Sequence, residues 1–179
     1  MKRKLIAMLL MAVCVFCLVA CGGEPAPDQS IDRKDGDKQK DDPAPSALTI
    51  TLSFVADGVK LVPGTAPDAG LLSRASSVYE IPSCAFDGND TVYGYPSYEI
   101  TVCNVDGKPL IYSVYVKEPD VATPEGLSLG DKEGKVTEIY GESYRKEGIA
   151  YIYSDGKSEL SVIVENGAVS AMEYLMITG

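Results

Sequence analysis

The sequence predicts an α+β fold: two tandem units, each a short helix packed on an antiparallel β-meander, together forming one continuous or contiguous sheet. Three observations carry this. From Leu48 onward, β-branched and aromatic residues recur in short alternating runs separated by Gly, Asp and Asn turn signals. Only two stretches read as helix, around Asp68–Ala75 and from Asp131 to Tyr140. The chain also echoes itself. Val62-Pro63-Gly64 before the first helical stretch matches Leu129-Gly130-Asp131 before the second, and Tyr93-x-Tyr95 matches Tyr151-x-Tyr153. Gly64 and Gly130 lie 66 residues apart, whereas Tyr93 and Tyr151 lie 58 apart. The first unit therefore carries eight additional residues, placed around Pro82–Asp90.

Lys2, Arg3 and Lys4 form a basic start, followed by the uncharged apolar run Leu5–Ala20. Sixteen residues are short for a membrane span and fit a secretory signal. The run ends in Leu18-Val19-Ala20-Cys21, which resembles the lipobox of bacterial lipoproteins. That resemblance implies a signal peptide over 1–20 and a thioether-linked lipid on Cys21, which becomes the mature N-terminus. The expected location is the outer face of the bacterial cell membrane, held by the lipid anchor, since two or more acyl chains hold a protein stably where one does not. Residues 21–47 read as a lipidated disordered stalk. Pro25, Pro27, Pro43 and Pro45 stand among Asp, Lys, Gln and Gly, and Ile31 is the lone large aliphatic residue. Too little apolar surface is available there to offset chain entropy.

The folded part is expected over 48–179, as units of about 48–117 and 123–179. Leu48–Phe54 alternates and reads as a strand, Ala56-Asp57-Gly58 as a turn, and Val59–Val62 as a second strand. Asp131 is a plausible N-cap for the later helix and Gly141 its terminating glycine. Each tyrosine pair begins a three-stranded meander with a glycine turn at Gly107 or Gly167. A tight turn at Pro96-Ser97 opposes Tyr93 to Ile100, and a turn over Ser154–Lys157 opposes Tyr151 to Leu160. Opposed residues share a face, so both tyrosine pairs fall on the apolar, helix-covered side. The other face is then Glu99, Thr101, Cys103, Ile111, Ser113, Tyr115, Glu159, Ser161, Ile163 and Glu165. It mixes aliphatic, aromatic, hydroxyl and acidic groups, which suits either a solvated sheet or a surface for a protein partner.

Thr123–Asp131, Glu138–Glu142, the Glu165-Asn166-Gly167 hairpin and Ser83–Gly88 together resemble a family of uncharacterised bacterial lipoproteins whose tandem-repeat fold is similar to that of β-lactamase inhibitory protein. The resemblance covers about residues 54–177. It rests on turn and helix-boundary motifs, so it implies a fold and assigns no inhibitory or catalytic residue.

Composition narrows the chemistry. The chain has no histidine and no tryptophan, which removes histidine bases, triads built on them and most zinc sites. With 16 basic against 26 acidic residues, the net charge of −10 argues against nucleic acid as a partner. Gly130–Lys135 imitates a phosphate loop but is one residue short, with Val136 where a hydroxyl is needed. Ser143-x-x-Lys146 lacks the partner motifs of acyl-serine enzymes. Asp87-Gly88-Asn89-Asp90 lacks the sixth-position glycine and the closing glutamate of a calcium loop. No catalytic residue, metal ligand or cofactor is assigned. Cys84 and Cys103, the two cysteines of the folded part, leave a disulfide and two thiols as open alternatives. The side-chain alternation places Cys103 on the solvated face, where a free thiol would be exposed. The functional expectation is a surface-tethered, non-enzymatic lipoprotein that acts as a protein-binding or assembly module. The alternatives are an envelope structural or accessory lipoprotein without a discrete binding site, and a carboxylate-based hydrolase.

Overall fold

A computed structural model describes residues 51–178. The expected signal peptide over 1–20, the expected lipidation site Cys21, the stalk expected over 21–47 and the start of the strand expected from Leu48 lie outside the described residues. The described body is dominated by antiparallel sheet, with two short helices. Phe54–Ala56 (β1) and Val59–Leu61 (β2) form a two-stranded hairpin. Asp57 and Gly58 both take positive φ, as a two-residue turn matched to strand twist requires. Thr51–Ser53 is not strand. Instead the Leu52 N–H donates to Asp155 Oδ2 at 2.8 Å, tying this segment to a turn 103 residues away.

Ala69–Leu72 (α1) is a single turn, shorter than the stretch expected over Asp68–Ala75. The Asp68 carboxylate caps it by accepting from the Leu71 N–H at 2.6 Å. Four strands follow: Ser77–Pro82 (β3), Asn89–Gly94 (β4), Tyr98–Val105 (β5) and Lys108–Val116 (β6). Glu133–Tyr140 (α2) precedes four more: Arg145–Glu147 (β7), Ala150–Ser154 (β8), Ser158–Glu165 (β9) and Ala168–Met176 (β10). All eight join one continuous sheet in the order β3-β4-β5-β6-β10-β9-β8-β7. The three-stranded meanders expected are thus four-stranded. The strands missed are the two edges: β3, which leads into the segment read as additional residues, and β7, three charged residues with no alternation to reveal them.

Asp131 is not the N-cap of α2. Lys132 holds that position without a side-chain cap bond. The Asp131 carboxylate instead accepts from Lys135 Nζ at 2.7 Å and from the Ser128 N–H at 2.8 Å. These bonds, that to Lys135 foremost, hold it below the usual carboxylate range. Gly141 ends the helix at φ 79°, donating its N–H to Thr137 O.

The core lies between one face of the large sheet and the elements packed on it. Leu71 of α1, Val136 and Tyr140 of α2, and Phe54 and Leu61 of the hairpin meet Ile100, Val114, Val116, Tyr153, Leu160, Val162, Met172 and Tyr174. The tyrosines fall on this side as the alternation requires: Tyr95, Tyr151 and Tyr153 are buried and Tyr93 is half-buried. Their hydroxyls fasten the helices, Tyr95 donating to Leu71 O at 2.8 Å and Tyr153 to Gly141 O at 3.0 Å. The β8–β9 register differs from expectation, since Tyr151 opposes Val162 and Tyr153 opposes Leu160. The turn is two residues tighter, and a shift of two leaves every side chain on its face.

Candidate functional site: the helix-free face and edge of the sheet

Both helices and the β1–β2 hairpin pack on the tyrosine side, so the opposite face carries no helix. Its register can be followed across all eight strands. Ser77, Gly94, Glu99, Tyr115, Glu173, Ser161, Ile152 and Arg145 form one continuous row. Tyr79, Val92, Thr101, Ser113, Leu175, Glu159 and Ser154 form the next. Opposed residues share a face, so Glu99, Thr101, Ser113, Tyr115, Glu159 and Ser161 are brought together here as the sequence suggests. Ile163 and Glu165 continue the same side of β9.

Ile111 is a correction. A bulge places Thr101 opposite Ser113 but Val102 opposite Ile111, leaving Tyr112 as the extra residue. One inserted residue reverses the alternation, so Ile111 enters the core at 1% exposed. Cys103 is a second correction. It lies on this face but is 1% exposed rather than solvated. Its thiol donates to Leu110 O at 3.6 Å, and burial pushes its pKa up. Cys84 is exposed, and both cysteines are free thiols. Phe86, in the segment between β3 and β4, meets the Tyr112 ring edge-on at 6.4 Å. Cys84, Glu173, Asp90 and Cys103 all lie near enough to raise the Tyr112 pKa, after the larger effect of burial.

Three groups of contributors were missed. Tyr79 and Ile81 of β3 are 46% and 38% exposed. Val92 and Asp90 of β4 are buried beside them. Ala171, Glu173 and Leu175 of β10 fill the centre of the face. The alternation Ala-x-Glu-x-Leu in β10 carried that signal, as did the Val-Tyr-x-Ile run of β3. Burial raises the pKa of Glu173, and the Ser113 hydroxyl offsets part of the rise.

In each motif that imitates an active site, at least one side chain is already hydrogen-bonded. Gly130, Asp131, Lys132, Gly134, Lys135 and Glu138 line a hollow of about 560 Å³, where Lys135 is held by Asp131. Lys146 Nζ donates to the Tyr151 hydroxyl at 3.0 Å and stands 4.3 Å from that ring's centre, while the hydroxyl donates to Glu133. Asn89 donates to Glu80 Oε2 at 3.2 Å, within the β3–β4 hairpin. Among the described residues, no three Cys, Asp or Glu side chains are grouped to hold a metal ion, and no helix is long and apolar enough to cross a membrane. No family model, curated protein or solved structure matches the chain.

Proposed function

We propose that this chain is a surface-tethered, non-enzymatic lipoprotein whose folded body is a protein-binding or assembly module. The observation that carries the reading is the helix-free sheet face. It sets the partly exposed Tyr79, Tyr115, Ile163 and Leu175 among the carboxylates Glu99, Glu159 and Glu173. An aromatic and aliphatic surface studded with polar groups suits a protein partner.

The same reading takes the body as two copies of one unit, α1 with β3–β6 and α2 with β7–β10. Backbone bonds support it. Gly64 N–H donates to Ile111 O and Ile111 N–H to Thr65 O, just as Gly130 N–H donates to Val169 O and Val169 N–H to Asp131 O. Each of these strand residues is followed by a bulge, at Tyr112 and at Ser170. The lipid anchor rests on Leu18-Val19-Ala20-Cys21. Intact mass of protein from native membranes is expected to show acylated Cys21, and unmodified mature protein in the medium would refute anchoring. Affinity capture of the full chain from its native envelope tests the module. A stoichiometric protein partner is the expected result, and dispersed weak contacts alone would overturn the reading.

A further inference from the structure

We infer that the free edge of β3 is a docking site for an extended segment of a partner protein, one that alternates apolar with basic residues and adds to the sheet as a ninth strand. This rests on the protein-binding reading and names its mode.

The two edges of the sheet are treated differently. β7 is three residues long, all charged, with Arg145 paired to Glu147 at 2.8 Å and to Glu159 at 3.2 Å. Short, charged edges repel further strands. β3 has six residues, every one exposed, including Val78 at 58%, Tyr79 at 46% and Ile81 at 38%. Among the described residues, no strand pairs with its outer side.

Its backbone points the same way. In an antiparallel pair, residues alternate between those that exchange bonds with the neighbour and those whose N–H and C=O turn outward. Ser83 N–H bonds to Gly88 O at 3.0 Å, at the inner end of the β3–β4 hairpin. Counting back, Ile81 and Tyr79 face β4, while Pro82, Glu80 and Val78 face the free edge. Proline, lacking an N–H, is tolerated at such an outward position. Val78 and Glu80 therefore present unpaired donors and acceptors to an incoming ninth strand, as a strand-addition site requires.

Charge identifies the occupant. Glu80 lies on the edge strand and Asp87 in the segment after it, both exposed, and the span between Arg74 and Lys108 contains no Lys or Arg. Pairing β3 with β3 of a second copy would set Glu80 near its twin and bring two net-negative bodies together. An incoming strand with apolar side chains beside Tyr79 and Ile81, and a Lys or Arg on the opposite parity beside Glu80, satisfies both faces.

The probe is a blocked peptide of about eight residues alternating valine and lysine, titrated against the full chain. Val78→Pro removes one outward N–H while leaving the β4 ladder intact, and Val78→Ala controls for the lost side chain. The expected result is binding that weakens about tenfold more in Val78→Pro than in Val78→Ala. It should weaken with salt and vanish when alternate peptide amides are N-methylated. The methylated peptide needs no variant, so misfolding of Val78→Pro leaves the test intact. Absence of binding to the unaltered chain overturns the edge site, while partner capture from the envelope judges the module separately. Binding that ignores Val78→Pro but is lost in Ser161→Arg overturns the edge and leaves the module standing on the sheet face. A dimer in sedimentation that Val78→Pro dissolves makes the occupant a second copy and overturns the basic segment.

Discussion

Glu173 sits mid-strand on the helix-free face, opposed by Tyr115 and Ser161. Burial lifts its pKa above the ordinary value, so the folded protein holds that proton more tightly than the unfolded chain. The sign follows. The group's contribution to stability is fully present below the unfolded pKa and is lost as pH rises through the folded one. Glu173→Gln keeps the shape without the charge, so it should raise Tm by a few degrees at pH 7. The gain should fade below about pH 4.5, the ordinary value for this carboxyl. Equal gains at both pH values would refute the assignment. The cysteines give a second test. The thiolate is the reactive form, and Cys103 is both buried and raised in pKa, whereas Cys84 is exposed. In native protein without reductant, Cys84 should alkylate promptly and Cys103 only on unfolding. Protection of both, released by reductant, would mean a disulfide instead.

The β1–β2 hairpin is too small to stand alone. Phe54 pins it to the large sheet, fully buried, with its ring 5.5 Å from that of Tyr98 and 6.1 Å from that of Tyr174. Phe54→Ala should cost about 3–5 kcal/mol and should speed hydrogen exchange in β1 and β2 more than in β6 and β10. Uniform acceleration would mean that the hairpin is not held by this side chain. Much at this scale was legible in the sequence. The Asp57-Gly58 turn, α1, α2 and the tyrosine face follow from local alternation and turn chemistry. What was not legible depends on distant strands. The bulge at Tyr112 moves Ile111 into the core because β5 and β6 pair out of step there, and nothing in Leu110-Ile111-Tyr112-Ser113 marks the extra residue. The edge strand β3 was hidden by its place: its Val-Tyr-x-Ile alternation precedes the loop that fills the first half's additional length. Asp131 has the composition of an N-cap, yet its carboxylate is already committed to Ser128 and Lys135.

At the scale of the whole molecule, the seam between β6 and β10 decides whether the body is one cooperative unit or two. The two strands oppose Val116 to Met172 and Val114 to Tyr174, and all four side chains are fully buried. The halves therefore share core rather than touch through a polar interface. The Asp155 carboxylate adds a further tie, accepting from Leu52 N–H before the hairpin and from Ser158 N–H at the start of β9. A unit of about sixty residues cut at this seam would expose the inner face of its last strand and be marginal on its own. Urea unfolding followed by tyrosine fluorescence and by far-UV circular dichroism should give coincident, single transitions. Met172→Ala removes side-chain volume from the seam itself and should cost about 2–5 kcal/mol. Because both halves lose the same contact, the midpoint should fall with the slope unchanged. If the halves were independent, the substitution would separate two transitions and lower the apparent slope, and a biphasic curve would end the single-body reading.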